Sequence, residues 1–141
     1  MTEDDRLTPE QERRVREAFE EIPFARLLGI ELGELRRGAA TLHLEARDEL
    51  KRNRGILHGG VVASLADTAA ALAVLTLGEA GDATTTVDLT VHYLRPLAAG
   101  RATARARVLR AGRRILSISV EVLDENQALA ATALTSFIRL S

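Results

Sequence analysis

The chain has 141 residues, 46% of them hydrophobic, and its 19 basic and 20 acidic residues leave a formal net charge of -1. That balance excludes a global field able to hold nucleic acid, so any anionic ligand has to meet a local basic patch. Cysteine is absent, which removes disulfides, thiol nucleophiles and thiolate metal sites together, and one domain over residues 1–141 is expected.

The N-terminus MTEDDRLTPEQERR is acidic and polar with no apolar signal core, so a cytoplasmic location is the default. Residues 1–7 are expected to fray. Thr8-Pro9 before Glu10, Gln11 and Glu12 marks a helix start with acids at its positive end, and Pro23 stops that helix after about Ile22. Residues 1–22 thus form an N-terminal extension and helix. Phe24 to Leu28 reads as one further turn before Gly29. Ile30, Leu32 and Leu35, then Leu42 and Leu44 beyond the Arg36-Arg37-Gly38 turn, predict a strand pair.

A polar loop, Arg47 to Arg54, leads into the longest apolar run, RGILHGGVVASLADTAAALAVLTLG. Its glycines and alanine-rich interior predict a helix over about 59–78. Ser64, Asp67, Thr68 and Thr76 are its only polar side chains and read as spread around the wheel, so the helix should be buried and wrapped by a sheet. A membrane span is disfavoured, because a mid-helix Asp costs about 2.5 to 3.5 kcal/mol on insertion scales.

Period-two patterning then begins. It puts Val87, Leu89, Val91 and Tyr93 on one face and Thr86, Asp88, Thr90 and His92 on the other. Ala102, Ala104, Ala106 and Val108 face inward on the next strand, with Arg101, Thr103, Arg105 and Arg107 outward. Ile118, Val120 and Val122 carry a third strand and Ala128 to Leu140 a fourth. Turns fall at Ala111-Gly112-Arg113 and Asp124-Glu125-Asn126. This order predicts an α+β fold, an antiparallel sheet of about six strands around a long central helix with an extra N-terminal helix.

The start of a buried helix offers unpaired N–H groups and a positive dipole end, and Gly59-Gly60 lets a substrate carbonyl approach, which is an oxyanion-hole geometry. A lone carboxylate in an apolar helix costs stability, which marks Asp67 for function. Gly59 and Asp67 lie eight positions apart, about 12 Å along one helix, too far to act on one carbon. A second chain has to supply one of them, so a dimer or a dimer of dimers is expected. His43 and His92 lack ligand partners at metal spacing, so no metal site is expected. Phosphate-cradling, nucleophile-elbow and HExxH motifs are missing, and three Phe and one Tyr are too few for a nucleic-acid surface.

At HGGVVASLADTA the chain resembles the hotdog-fold acyl-CoA thioesterases, in particular the PaaI-like, phenylacetate-pathway group, whose HGG opens a helix with an acid nine residues after the His. Here these are His58, Gly59, Gly60 and Asp67. The later VDLTVHYLRPL segment, Val87 to Leu97, and the element order extend the likeness from about Phe24 to Leu140. The resemblance implies a hotdog fold and hydrolysis of acyl-CoA to a free acid and coenzyme A at a dimer interface. It implies that the Gly59 N–H polarises the thioester carbonyl and that Asp67 is general base or nucleophile, while His58, at the helix entrance, is read as orienting rather than transferring a proton and Gly60 as lying against substrate.

The same family commonly places an Asn six residues before the His. Here that position is Arg52, with Asn53 one place late, although the Gly three before the His matches as Gly55. Thr86 matches a hydroxyl that orients water in some relatives, yet strict alternation turns it away from Val87, Leu89 and Val91, so the role needs a bulge or a partner chain. Arg95, Arg113 and Arg114 are the cations expected to meet coenzyme A phosphates. No cofactor is implied, coenzyme A being part of the substrate. The displaced Asn53 motivates a second reading, a non-catalytic acyl-CoA-binding or sensing protein. A hotdog dehydratase or hydratase is disfavoured, because those rely on a His-centred site.

Overall fold

The computed structural model describes residues 3–140. Helices α1 (Pro9–Glu20) and α2 (Pro23–Leu28) precede strands β1 (Glu31–Arg36) and β2 (Ala39–Glu45). Helix α3 (Gly59–Leu75) follows, then β3 (Ala83–Tyr93), β4 (Arg101–Ala111), β5 (Ile115–Leu123) and β6 (Leu129–Leu140), with 3-10 turns at Glu3–Asp5 and Asp48–Leu50. Every strand pair is antiparallel, in the order β1-β2-β4-β5-β6-β3, which leaves β1 and β3 as edges.

Helix α3 crosses the inner face of this sheet, as the sequence predicts. Ala66, Ala69, Ala70 and Ala73 are buried on the helix, and Ala102, Ala104, Ala106, Ala131 and Ala133 are buried on the strands. Small side chains on both surfaces let helix and sheet backbones approach closely. Leu42, Leu44, Leu65, Leu72, Leu116, Ile118, Val120 and Val122 fill the space on either side, each stabilising the fold by about 1.5–3 kcal/mol through burial. Val15 of α1 and Ala25 and Leu28 of α2 close the core at the sheet's open end. No helix among the described residues is long and apolar enough to cross a membrane.

Three expectations need correction. Helix α3 ends at Leu75 rather than Gly78, because the buried Thr76 closes it: its hydroxyl donates to the Ala73 carbonyl at 2.6 Å and accepts the Gly38 N–H at 2.7 Å. Leu77 and Gly78 continue as tighter turns, donating three residues back to Val74 and Leu75. Second, Ser64, Asp67 and Thr68 are gathered into one half-buried stripe rather than spread around the wheel, since residues three and four apart share a helix face. The hydroxyls of Ser64 and Thr68 donate back to the carbonyls of Gly60 and Ser64, each at 2.8 Å, so they are satisfied locally. Third, the stretch expected to fray is held from Glu3 onward, with Arg37 N–H donating to the Asp5 carbonyl at 2.7 Å and Leu7 packed on the core. Met1 and Thr2 lie outside the described residues. The N-terminal helix does start at Thr8, through a reciprocal cap with Gln11.

On the outer face His43 Nδ1 lies 3.0 Å from the Thr103 hydroxyl. Burial, then the Arg101 charge, lower its pKa below the ordinary 6.5, with Glu31 opposing and Arg105 adding to the shift. The unfolded chain therefore takes up this proton first as pH falls. The stability contributed by neutral His43 is complete above about 6.5 and is lost as pH drops from there through the lowered folded value. Denaturant midpoints should decline over that interval, and His43→Gln should flatten the decline; an unchanged slope in the variant would remove His43 as its source. Thr76→Val keeps shape but leaves the buried Gly38 N–H without an acceptor, which should cost about 1–3 kcal/mol. Calorimetric melting at fixed protein concentration measures that cost.

Candidate active site

The chain enters α3 between two fixed points. His58 N–H donates to the Leu50 carbonyl at 2.9 Å and Leu57 N–H to the Leu97 carbonyl at 2.8 Å, which seats the helix start against the segment following β3. His58 is the N-cap, and its Nδ1 accepts the Gly60 N–H at 2.8 Å. An accepting Nδ1 carries no proton, so in the neutral ring the proton sits on Nε2, facing out. The N–H groups of Val61 and Val62 both reach the His58 carbonyl. Gly59 N–H alone in this turn has no acceptor among the described residues. It is the donor the helix start leaves open.

Tyr93, at the end of β3, covers the other side of this turn, its hydroxyl donating to the Gly59 carbonyl at 2.6 Å. A Cβ at position 59 would lie 3.4 Å from both Cζ and the hydroxyl of Tyr93, ordinary van der Waals contact, so the ring packs directly on this turn. Beside Gly59 runs a groove of about 430 Å³ lined by Ile56, Leu57, Val62, Leu94 and Leu97, with Arg52 and Arg95 among its walls. Arg95 therefore lies at the Gly59 end. Asn53 does not come to Gly59: it sits exposed in the turn before the helix, accepting from Arg52 Nε at 3.2 Å. Two successive left-handed residues there, Arg54 (φ 77) and Gly55 (φ 74), turn the chain outward.

Asp67 lies two turns further along, on the half-buried stripe, and its Oδ1 accepts the Thr86 hydroxyl at 2.9 Å. The other carboxylate oxygen has no partner among the described residues and is not buried. Thr86 faces the helix because β3 is bulged: its pairing with β6 shifts register between Thr86 and Asp88. The alternation expected for β3 therefore breaks at Val87, which turns outward at 55% exposure, while Leu89 and Val91 pack on the core. Arg113 and Arg114 stand exposed at the β4–β5 turn, lining a hollow with Asp82, Ala83 and Thr84 at the opposite end of β3 from Tyr93.

One chain thus gathers His58, Gly59, Gly60 and Arg95 at one place, Asp67 and Thr86 at a second, and Arg113 and Arg114 near the second. Tyr93 is the site residue the sequence reading gives no role. Its signal was present, since it is the only tyrosine and lies on the inward face of β3. Among the described residues no three His, Asp or Glu cluster as metal ligands would.

Comparison with known proteins agrees with this fold. The sequence pattern of the thioesterase superfamily matches residues 54–131, from the turn before α3 into β6. The chain is 36% identical over 132 residues to the medium/long-chain acyl-CoA thioesterase YigI of Salmonella typhimurium, covering 83% of this chain and 85% of YigI. Among solved structures, the E. coli PaaI protein from the phenylacetic acid degradation operon superposes with a TM-score of 0.89 at 26% identity, over 96% of each chain. A thioesterase family protein from Silicibacter pomeroyi gives 0.88, also at 26% identity, over 92% of this chain and 98% of its own.

The cap geometry assigns His58 a structural part that can be measured alone. His58→Ala should destabilise the protein by about 0.5–2 kcal/mol through the lost cap, whereas His58→Asn, which keeps an acceptor at the cap, should melt close to the parent. Equal melting of all three proteins would show that the Nδ1 bond carries no weight.

Proposed function

The chain belongs to the thioesterase superfamily, and from that membership we propose that this hotdog-fold thioester hydrolase cleaves acyl-CoA at sites each built from two copies of the chain. The observation that carries the proposal is the pairing of one open donor, Gly59 N–H, with one open carboxylate oxygen on Asp67. They lie on one face of the same helix, about 12 Å apart along its axis. A two-fold axis that sets two α3 helices antiparallel brings each Gly59 to the other copy's Asp67.

Edge strand β3 supports the same axis. Its 11 residues leave one side unpaired, which in a stable protein calls for cover. Tyr93 is bonded to Gly59 and Thr86 to Asp67, so an axis joining Gly59 to the second Asp67 also sets Tyr93 beside the second Thr86. Two β3 edges then meet around Leu89 and Thr90, antiparallel.

At such a site the thioester carbonyl accepts from Gly59 N–H, strengthened by the positive end of α3. The Asp67 carboxylate of the other copy, held through Oδ1 by Thr86, takes a proton from water as the water oxygen bonds to the carbonyl carbon. The tetrahedral oxyanion then reforms the carbonyl and expels the coenzyme A thiolate, which recovers the proton from Asp67. Direct attack by the carboxylate would expel the coenzyme A thiolate and leave an acyl anhydride, which water opens to the free acid and the regenerated carboxylate while its remaining proton goes to the thiolate. Neither route draws on a metal or redox cofactor. The apolar groove beside Gly59 suits an aliphatic part of the substrate, in keeping with the medium/long-chain name of the YigI relative, while Arg95, Arg113 and Arg114 are suited to the phosphates.

Asp67→Asn tests the assignment on one purified variant. Turnover across acetyl- to palmitoyl-CoA, read as free thiol, should fall on the order of 10²- to 10⁴-fold while melting temperature and substrate binding stay near the parent. Parental turnover in Asp67→Asn would end the mechanism, and so would a parent that is a fully active monomer by light scattering at micromolar concentration. The same panel separates hydrolysis from acyl-CoA binding without turnover.

A further inference from the structure

Tyr93 is held at both ends. Its backbone pairs with Ala131 of β6, and the next two N–H groups, of Leu94 and Arg95, both donate to the Ala130 carbonyl, at 2.8 and 3.1 Å. At the tip of the side chain the hydroxyl donates to the Gly59 carbonyl at 2.6 Å. In an α-helix that carbonyl is already the acceptor of the N–H four residues on, so α3 does not need the extra bond to be satisfied. What the bond fixes is the phenol. A phenol has one proton, and with that proton committed to Gly59 the oxygen can only accept from anything else. No donor among the described residues fills it, and Tyr93 is 55% exposed.

The open groups of the two-chain site can be matched to the two reactants by polarity. A thioester carbonyl has lone pairs and no proton, so it uses the Gly59 N–H and has nothing to give the Tyr93 oxygen. Water has two protons and needs two acceptors. The first is the free carboxylate oxygen of the other copy's Asp67. The axis that joins Gly59 to that Asp67 also sets Tyr93 beside the other copy's Thr86, which holds the same carboxylate. Thr86 bonds Oδ1, away from the free oxygen on which the water rests, so Tyr93 Oη is left as the second acceptor.

We infer that Tyr93 is a further catalytic residue, whose Oη accepts the second proton of the attacking water while Asp67 of the other copy removes the first. This rests on the two-chain site proposed above and on its general-base route. As the water oxygen bonds to the carbonyl carbon, one O–H bond breaks toward Asp67 and the other stays intact, bonded to Tyr93. Holding both protons aims a lone pair of the water at the carbon that Gly59 polarises. The proton on Asp67 then passes to the departing thiolate, and the O–H facing Tyr93 leaves as the carboxyl hydrogen of the free acid.

Methanol separates this part from a packing role, because it has one O–H where water has two. Octanoyl-CoA turned over in buffer containing methanol yields octanoic acid and methyl octanoate, which are measured together. Tyr93→Phe keeps the ring and removes the oxygen. Its kcat for hydrolysis should fall on the order of tenfold, the worth of about one hydrogen bond, with KM near the parent. Methanolysis should fall far less, so the ester-to-acid ratio should rise. Tyr93→Leu, which drops the ring as well, should move the ratio the same way. A ratio unchanged in both variants, whatever their melting temperatures, would make Tyr93 a packing residue and overturn the inference. A mixed dimer of one Asp67→Asn chain and one Tyr93→Phe chain tests the sharing between copies. The Asp67→Asn chain brings its own Tyr93 to the intact Asp67 of the other, so one of the two equal sites is complete. Turnover should be about half that of the parent, at the parental ester-to-acid ratio. The ratio of the Tyr93→Phe homodimer would instead mean that Tyr93 serves Asp67 of its own chain, which overturns the inference. Failure of the Asp67 mechanism is a separate result, parental turnover in the Asp67→Asn homodimer.

Discussion

The seating of α3 on the sheet depends on alanine meeting alanine, and the reactive geometry follows from that contact. Ala66, Ala69, Ala70 and Ala73 are all but inaccessible, as are Ala102, Ala104 and Ala131 across from them. Closely packed interiors resist changes of even one methylene, so the helix is held along its length. Its buried sides are set by the sheet, which leaves Gly60, Ser64, Asp67, Thr68 and Ala71 as the stripe not covered by this chain. A rigid helix then fixes the separation of Gly59 from Asp67. Because one helix cannot fold one onto the other, the proposed site joins the two open groups across copies.

The bulge at Val87 is the second device on which the site depends. Without it, strict alternation would direct Thr86 to the outer face and Val87 toward Asp67, placing a methyl-rich side chain beside a carboxylate. The register shift exchanges them. It leaves Val87 more than half exposed, a loss of apolar burial, and supplies a hydroxyl donor to Asp67 Oδ1. Hydrogen bonds to charged groups contribute about 1.5–3 kcal/mol against about 0.5–1.5 for neutral ones. That difference, and the cost of leaving a half-buried carboxylate oxygen unmet, favours the bulged register over a regular ladder.

Much of this fold could be read from residues because burial imposes a period on it. Two-residue alternation located the strands through Ala102, Ala104 and Ala106 or Ile118, Val120 and Val122, and the Gly59-to-Gly78 run located the central helix to within three residues. What escaped was nonlocal. Thr76 ends α3 through a hydroxyl shared with Gly38, a residue 38 positions away, and the first turn is held by Arg37 bonding to the Asp5 carbonyl. The bulge escaped for a related reason, since counting alternate residues assumes an unbroken ladder. At the site, the spacing of His58, Gly59 and Asp67 was legible because all three lie on one helix. Tyr93 was not, because its hydroxyl meets Gly59 across 34 positions. Asn53 depended on a local feature no pattern announces: a left-handed Arg54, followed by Gly55, swings the turn outward.

The first turn of α3 also shows how a cap can select one donor from several. Four N–H groups at any helix start lack intrahelical partners. Here the Leu50 carbonyl takes that of His58, the His58 ring takes that of Gly60 and the His58 carbonyl takes that of Val61. A shorter cap such as Ser or Asp would ordinarily reach the second or third N–H as well, so capping by itself does not require an imidazole. The ring adds bulk that closes the Gly60 side, where a Cβ would sit only 3.0 Å from Nδ1. Tyr93 closes the other side of the turn by bonding to the Gly59 carbonyl. Between these two rings the Gly59 N–H is the single donor left pointing out of the helix, with the macrodipole's positive end behind it. In the proposed site a carbonyl oxygen therefore meets one backbone donor, and the Asn side chain of the resembled pattern has no counterpart there, Asn53 being turned to solvent. The groove wall at that place carries Arg52 instead, so the proposed site offers the lone N–H the field of a cation rather than a second short, directed hydrogen bond.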